Sequence, residues 1–350
     1  MKLSSGLFLV TVCAALLVSS WVQGEPLPKQ PPTPKDNPQT PAKIELGKQL
    51  YFDPRLSRTG TVSCNSCHGV EGSGTDNLST SFGVEGKRGG RGAPTVWNSA
   101  YMSVLFWDGR AASLEEQAKG PLVNPVEMGM PNLDAVVARV NAIPGYQEQF
   151  KKVFGNQGLN IDNIAKAIAS FERTLVTPNS AYDRYMRGDK KALSASAKRG
   201  MESIEKVGCV TCHMGPNFAG PELDPGLGFY QKLPQHPGSE YDKKYDLLSD
   251  LGRHQVTKDE NDKNMWRVPT WRNIALTAPY FHNGKVKTLD EAVRVMAKVQ
   301  LGVTLTETQV TDIVAFLNSL TGEFPKIQLP RLPPYANASL MEPAAQSLPQ

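Results

Sequence analysis

The 350-residue chain has little cysteine or histidine, with five of each. Long apolar runs are also scarce, and the longest, at residues 7–18, falls short of the roughly 20 residues that a membrane-spanning helix needs. Strong charge of one sign is missing too, because 38 basic residues face 34 acidic ones and the net charge is +4. This balance argues against nucleic acid or an anionic membrane surface as the main partner.

The first residues are typical of a secretory signal. Lys2 gives a positive start, the apolar run follows, and Val22-Gln23-Gly24 precedes a plausible cleavage site. We therefore predict a signal peptide at residues 1–24, which contains Cys13, and a soluble protein exported to the periplasm without a membrane span.

The length predicts about two domains. Residues 25–41 contain seven prolines and are expected to form an extended linker that packs poorly. Residues 323–350 form a second Pro-rich segment, a tail expected to follow the surface. Between the two segments, apolar residues recur at helical spacing, which predicts a mostly α protein. The segments with this spacing are 114–119, 133–140, 161–175, 289–299 and 306–320.

An internal repeat organises this helical region. The first copy runs PTVWN at 94–98, FWDGR at 106–110 and LEE at 114–116, and the second runs PTWRN at 269–273, FHNGK at 281–285 and LDE at 289–291. The copies match without a gap, and a CxxCH motif precedes each one. We therefore predict two units related by duplication, with a boundary near residues 177–180.

The two CxxCH motifs predict covalent c-type haem. Cys64 and Cys67, and likewise Cys209 and Cys212, would form thioethers to haem vinyl groups. His68 and His213 would then supply the proximal nitrogen to each iron. CxxC pairs also bind zinc or form disulfides, but neither alternative requires a histidine directly after the second cysteine. Two haem c groups are therefore the predicted cofactors.

The sixth ligand distinguishes an electron carrier from an enzyme. Met296 lies on a predicted helix of the second unit and is the candidate there, with Met265 as its rival, although a core methionine is the commoner role for such a residue. The repeat places Pro121 opposite Met296, and proline cannot ligate iron. The sequence therefore predicts one closed haem and one open haem.

An open haem that cleaves an O–O bond needs a group that moves a proton. Gln117 and Glu127 lie close to Pro121 in an otherwise apolar stretch. Apolar surroundings raise the pKa of a carboxyl group, which suits proton transfer near neutral pH. Each residue taken alone is equally consistent with a solvated side chain.

These motifs together resemble the bacterial dihaem cytochrome c peroxidases. The resemblance covers about residues 42–322 and implies a peroxidatic domain at 42–178 and an electron-transfer domain at 179–322, both cytochrome c-like. The motifs that carry it are CNSCH at 64–68, FWDGR at 106–110, QAKGP at 117–121, VEM at 126–128, RVPT at 267–270 and APYFHNG at 278–284.

The resemblance also implies a role for individual residues. Gln117 and Glu127 would flank hydrogen peroxide at the haem held by His68, and Trp107 would assist electron transfer between the haems. The haem of His213 and Met296 would accept electrons from a small soluble cytochrome. A calcium ion would bind the backbone carbonyls of Thr277 and Pro279, and the protein would form a homodimer.

Two positions depart from the family pattern. Val84 stands where many members carry a histidine that caps the peroxidatic iron until reduction removes it. We therefore expect the first haem to be open even when fully oxidised. Gly92 stands where members often have an asparagine that binds calcium, and it has no side chain to offer.

Three other function classes compete with the peroxidase. A related dihaem oxidase that modifies a partner protein carries a tyrosine where Met296 stands. A dihaem electron carrier needs both irons closed, and the first unit offers no second strong ligand. A haem-based sensor would need a signalling domain, which the sequence does not show.

Overall fold

A computed structural model describes residues 25–334. The predicted signal peptide at 1–24 and the end of the tail at 335–350 lie outside the described residues. The described part is helix-rich, as predicted, and none of its helices is long and apolar enough to cross a membrane. Its helices are Pro41–Phe52 (α1), Cys64–Cys67 (α2), Leu114–Val123 (α3), Leu133–Asn141 (α4), Pro144–Phe154 (α5), Ile161–Glu172 (α6), Ala181–Met186 (α7), Ala195–Val207 (α8), Glu240–Lys244 (α9), His254–Thr257 (α10), Leu289–Leu301 (α11) and Glu307–Asn318 (α12).

The helix ends follow from side chains that cap free backbone N–H groups. Thr40 accepts a hydrogen bond from the Lys43 amide, and Pro41 begins α1 at a position where no N–H is needed. At α12, Thr306 and Gln309 cap each other reciprocally. Strands are confined to the antiparallel pair Tyr230–Lys232 (β1) and Met265–Arg267 (β2) within the described residues.

Each half is built on two helices that cross closely at a glycine. A Cβ atom on Gly47 of α1 would lie 1.8 Å from the Ala167 carbonyl oxygen of α6. A Cβ atom on Gly200 of α8 would lie 1.9 Å from the Asp312 carbonyl oxygen of α12. Only a residue without a side chain permits these crossings.

The repeated loops adopt the same backbone conformation in both halves. Asn98 and Asn273 have φ of 62° and 59°, and Phe106 and Phe281 both have φ of 66°. Each loop closes with an antiparallel bridge, between Leu105 and Ala111 in the first copy and between Tyr280 and Val286 in the second. The helices α3 and α11 then begin at matching positions. The correspondence in sequence is therefore also a correspondence in local structure.

Thr177 joins the two halves at the predicted boundary. Its hydroxyl oxygen accepts hydrogen bonds from Asn98 Nδ2 at 2.8 Å and from Asn273 Nδ2 at 2.9 Å. The Thr177 amide donates to Asn98 Oδ1 at 2.9 Å, and the Gly322 amide donates to Asn273 Oδ1 at 3.1 Å. The chain after α6 and the chain after α12 thus return to equivalent asparagines.

The Pro-rich segment 25–41 corrects the prediction of a poorly packed linker. It is extended, as its prolines require, but Leu27 and Asn37 are fully buried. The Leu27 amide donates to Asp183 Oδ1 at 2.9 Å, and Lys43 Nζ donates to Asn37 Oδ1 at 2.8 Å. Composition could not reveal these contacts, because they depend on the fold. Asp183 lies far along the chain from Leu27, and Lys43 belongs to α1.

Candidate functional site

Both CxxCH motifs form a single tight turn. The His68 amide donates to the Cys64 carbonyl oxygen at 2.9 Å, and the His213 amide donates to the Cys209 carbonyl oxygen at 3.1 Å. Each turn brings two thiols and one imidazole to the same side of the backbone. The four cysteines of the two motifs are free thiols in this structure.

The proximal histidines are oriented by backbone carbonyl groups. His68 Nδ1 donates to the Pro94 carbonyl oxygen at 2.9 Å, and His213 Nδ1 donates to the Phe218 carbonyl oxygen at 3.1 Å. These bonds leave Nε2 of each ring available as a metal ligand. Burial lowers the pKa of both histidines, that of His213 to about 4, so both rings are neutral at physiological pH.

Trp271 packs directly against a proximal histidine, a contact that was not predicted from the sequence. Its ring stacks on His213 with centroids 4.2 Å apart and an interplanar angle of 19°. The repeat has Val96 at this position, so the appearance of an aromatic residue in only one copy was the available signal.

Both motifs line one cavity of about 830 Å³, together with mostly apolar side chains. The buried Arg267 guanidinium also lines it, and none of the ion pairs among the described residues includes Arg267. A buried cation needs a counter-charge, and the propionate groups of haem would supply one. Thiols, neutral imidazoles, apolar walls and a buried cation together fit haem. In contrast, no three His, Cys, Asp or Glu side chains within residues 25–334 cluster as a zinc site would require.

Glu127 and Gln117 line the cavity together with the first motif. Asn124 Nδ2 donates to Glu127 Oε1 at 2.8 Å. Burial raises the pKa of Glu127, as its apolar neighbours predicted, while the nearby Arg110 and the Asn124 hydrogen bond act in the opposite direction. Pro121 lies on α3 and lines the same cavity.

The methionine candidates are separated by the structure. Met296 lies on α11 and lines the cavity. Met265 lies in β2, opposite Lys232, and is not among the residues that line this cavity in the described part of the chain. Met296 is therefore the better placed of the two for the second site.

Trp107 lies where the two halves meet. Its side chain lines the cavity and packs against the apolar cluster of the second half. Its Nε1 donates to the Gly92 carbonyl oxygen at 2.8 Å, and the Gly92 amide donates to the carbonyl oxygen of His282 at 2.8 Å. One glycine thus contacts both Trp107 and its repeat partner.

Arg91 fastens this junction. It contacts Asp108 at 2.6 Å in the first half and Asp250 at 2.7 Å in the second. Its guanidinium lies 4.8 Å from the ring centroid of Trp266, which stacks on His282 at 4.1 Å. The relative placement of the two motifs therefore depends on charged contacts as well as apolar packing.

Val84 faces the core of the first half. It is buried in the first apolar cluster, and its amide donates to the Glu127 carbonyl oxygen at 2.8 Å. Phe82 and Gly83 of the same loop line the cavity, and the side chain at 84 does not. The loop on which the resemblance would place a capping histidine is therefore bound to the Glu127 turn.

The predicted calcium position lacks acidic ligands. Asn77 Nδ2 donates to the carbonyl oxygens of Leu276 and Ala278, at 2.9 and 2.7 Å, beside Thr277 and Pro279. Calcium takes six to eight oxygen ligands, and the described residues offer no cluster of carboxylates there. Calcium at the carbonyl oxygens of Thr277 and Pro279 therefore stays a prediction, and no step below depends on it.

A fully buried ion pair supports the second motif and was also missed. Arg272 Nη1 contacts Asp183 Oδ1 at 2.8 Å, with both side chains 0 % exposed. Arg272 also donates to the Pro216 carbonyl oxygen through Nε at 2.9 Å and Nη2 at 2.6 Å. This holds the loop that presents the Phe218 carbonyl group to His213.

Known proteins resemble this chain along most of its length. A sequence model of the family "Di-haem cytochrome c peroxidase" matches residues 41–191. The cytochrome c551 peroxidase of Nitrosomonas europaea is 44 % identical over 92 % of this chain and 92 % of its own. That of Pseudomonas aeruginosa is 43 % identical over 88 % and 87 %.

A solved structure described as a MauG-like protein associated with microbial copper homeostasis has a TM-score of 0.73 and 30 % identity, and covers 87 % of this chain and 95 % of its own. The similarity in sequence and that in fold agree with the arrangement of the two CxxCH turns around one cavity. The chain belongs to the di-haem cytochrome c peroxidase family.

Proposed function

We propose that this protein reduces hydrogen peroxide to water with electrons from a reduced small c-type cytochrome. One peroxide, two reduced cytochromes and two protons would give two waters and two oxidised cytochromes. The observation that carries the proposal is the partly buried Glu127 carboxyl group, which lines the cavity beside the first CxxCH motif. In the same unit, the position equivalent to Met296 is occupied by Pro121, which cannot ligate iron. The peroxidases among the relatives support the same reaction.

At the first site, Cys64 and Cys67 would attach the haem, and His68 would hold its iron through Nε2. A bound haem supplies a site for peroxide and electrons for its reduction. Glu127 takes a proton from one peroxide oxygen and returns it to the other. Burial raises the pKa of its carboxyl group, which favours uptake of that proton. The Gln117 amide orients the peroxide by hydrogen bonding.

At the second site, Cys209 and Cys212 would attach a haem ligated by His213 and Met296. The methionine ligand raises the reduction potential and suits electron entry from a cytochrome. Trp107 lines the cavity that both motifs share and would assist electron transfer between the haems. Its position, fixed by the Gly92 contact, supports that role.

A comparison of two variants tests the proposal. We expect Glu127→Gln to lower kcat for peroxide-dependent oxidation of a reduced small cytochrome by about 10²- to 10⁴-fold, with haem content unchanged. Glu116→Gln is the matched control, because Glu116 is an exposed carboxylate on the adjacent helix α3. Equal activity of Glu127→Gln and the wild type would remove Glu127 from the mechanism, and an inactive wild-type holoprotein would refute the peroxidase.

We further propose that the first haem stays open in the fully oxidised enzyme. The burial of Val84 and its bond to Glu127 support a loop that cannot cap the iron through residue 84. Electron paramagnetic resonance of the ferric enzyme should show a high-spin signal, and turnover should not require pre-reduction by one electron. Low-spin signals from both haems would contradict this.

The architecture supports two cytochrome c-like domains, at 42–178 and 179–322, that arose by duplication. The matching helix crossings and repeated loops are the observations in its favour. Haem is attached to CxxCH outside the cytoplasm, so we place the mature enzyme in the periplasm. Mass spectrometry of the periplasmic fraction should find two haem masses on a chain that lacks residues 1–24.

A further inference from the structure

The first half contains a buried carboxyl group that the proposed mechanism does not use. Glu172, at the end of α6, is 6 % exposed and lines the cavity. Its Oε2 atom is buried and meets no hydrogen-bond donor among the described residues. An unpartnered carboxyl group in an apolar interior is costly, so its position calls for a function.

The repeat indicates that the fold does not need this carboxyl group. The helices α6 and α12 and the residues that follow them can be aligned between the two halves. Ala167 matches Asp312, because each carbonyl group meets the glycine of the crossing helix. Thr177 matches Gly322, because each amide donates to the equivalent asparagine. This alignment places Glu172 opposite Leu317, which is also buried and lines the cavity. A leucine therefore fills the equivalent position in the second half, and the carboxyl group is specific to the first.

Few charged groups face Glu172. Arg173, its neighbour on α6, is bound to Glu115 of α3 at 2.7 Å. From α1, the Tyr51 hydroxyl donates instead to the His68 carbonyl oxygen at 2.7 Å. The Cys64 thiol of α2 would become an uncharged thioether with haem attached. Among the described residues, no cation therefore forms an ion pair with Glu172.

We propose that Glu172 is the proton acceptor coupled to reduction of the first haem. One electron from a reduced cytochrome enters the haem, and one proton from solvent forms an O–H bond on the Glu172 carboxylate. When the electron leaves, that O–H bond breaks and the proton returns to solvent. The net charge of the site then stays constant, which matters most where the dielectric constant is low. The proposal rests on haem binding at the first motif and not on peroxide turnover.

The sign of the coupling follows from electrostatics. The ferric haem carries one more positive charge than the ferrous haem and so favours the carboxylate. Reduction therefore raises the Glu172 pKa, which burial already raises to about 8, with Arg173 lowering it and Glu115 raising it. The reduction potential should fall with rising pH between the ferric-state and ferrous-state pKa values and be constant outside that window.

Spectroelectrochemical titration of both haems in the full holoprotein, from pH 6 to pH 10, tests this. One proton per electron corresponds to a slope that approaches 59 mV per pH unit at the first haem. Glu172→Gln should remove that slope. The reduction potential of its first haem should equal that of the wild type at pH values below the window and exceed it at pH values above the window. A purely structural effect would instead shift the potential equally at every pH.

Two further variants complete the experiment. Glu172→Leu copies Leu317 and should behave as Glu172→Gln, which guards against a folding defect of either variant. Glu71→Gln removes an exposed carboxylate near the same motif and should keep the wild-type slope. A flat wild-type titration, or a slope that survives in Glu172→Gln, would overturn the proposal even if the enzyme proves an active peroxidase.

Discussion

Replacement of Asp183 by asparagine removes one charge from the buried pair with Arg272. Asp183 Oδ1 accepts from Arg272 Nη1 at 2.8 Å and from the Leu27 amide at 2.9 Å, and Oδ2 accepts from the Ser180 amide at 2.9 Å. Every neighbour of the carboxylate is a donor, so the asparagine NH₂ group must face another donor. The guanidinium, which is 0 % exposed, would also lose its counter-charge.

The magnitude follows from these contacts. Removal of one member of a buried ion pair costs about 3–5 kcal/mol of unfolding free energy, because the other charge remains buried and unpaired. Asp183→Asn and Arg272→Met should each lose this amount. The double variant should lose far less than the sum of the two, since no uncompensated charge remains.

Equilibrium unfolding of the holoprotein in urea, followed by far-ultraviolet circular dichroism and by haem absorbance, measures the loss. The control is Glu307→Gln, which breaks the ion pair between Arg294 and Glu307. The Glu307 side chain is 84 % exposed, so this change should cost less than about 1 kcal/mol of unfolding free energy. A loss below about 1 kcal/mol for Asp183→Asn, or strict additivity in the double variant, would refute the reasoning.

Three further predictions concern packing, electron transfer and pH. Gly200→Ala should lose at least about 1–3 kcal/mol of unfolding free energy, because its Cβ would lie 1.9 Å from the Asp312 carbonyl oxygen; urea titration measures this, and Gly72→Ala, with open space around it, should be near neutral. Trp107→Phe should slow electron transfer between the haems in stopped-flow single turnovers at unchanged haem content, and an unchanged rate would exclude the indole from the path. The wild-type kcat should rise with pH through the pKa of Glu127, which burial raises, because the carboxylate form accepts the proton. The acid limb of the pH–rate profile should therefore lie above the ordinary glutamate pKa of about 4.3. Glu127→Gln should lack this limb.

Chemistry that depends on adjacent residues could be predicted from the sequence. The CxxCH turns are local, because two thiols and an imidazole within five positions share one helical turn. The helices at 114–119 and 289–299 were also predicted correctly, and α3 continues past Pro121 to Val123. The raised pKa of Glu127 followed from the apolar residues on either side of it.

Contacts between distant segments could not be predicted in this way. Leu27 is buried because its amide reaches Asp183, more than a hundred residues away. Glu172 carried a partial signal, since it lies one helical turn after Ile168 on the apolar face of α6. A charged residue on an apolar helix face usually marks the edge of that face. Only the tertiary structure places Glu172 in the cavity.

The hydrogen bonds at Thr177 have a consequence for the history of the chain. Under the proposed duplication, each half closes by returning the end of its last helix to an asparagine of its own repeated loop, through the same backbone bond. A single ancestral unit could therefore have been a complete protein with one haem before the genes fused. In the present chain, the Thr177 hydroxyl is a shared acceptor for both asparagines. The closure could then persist while the two copies diverged, one toward chemistry and the other toward supplying electrons.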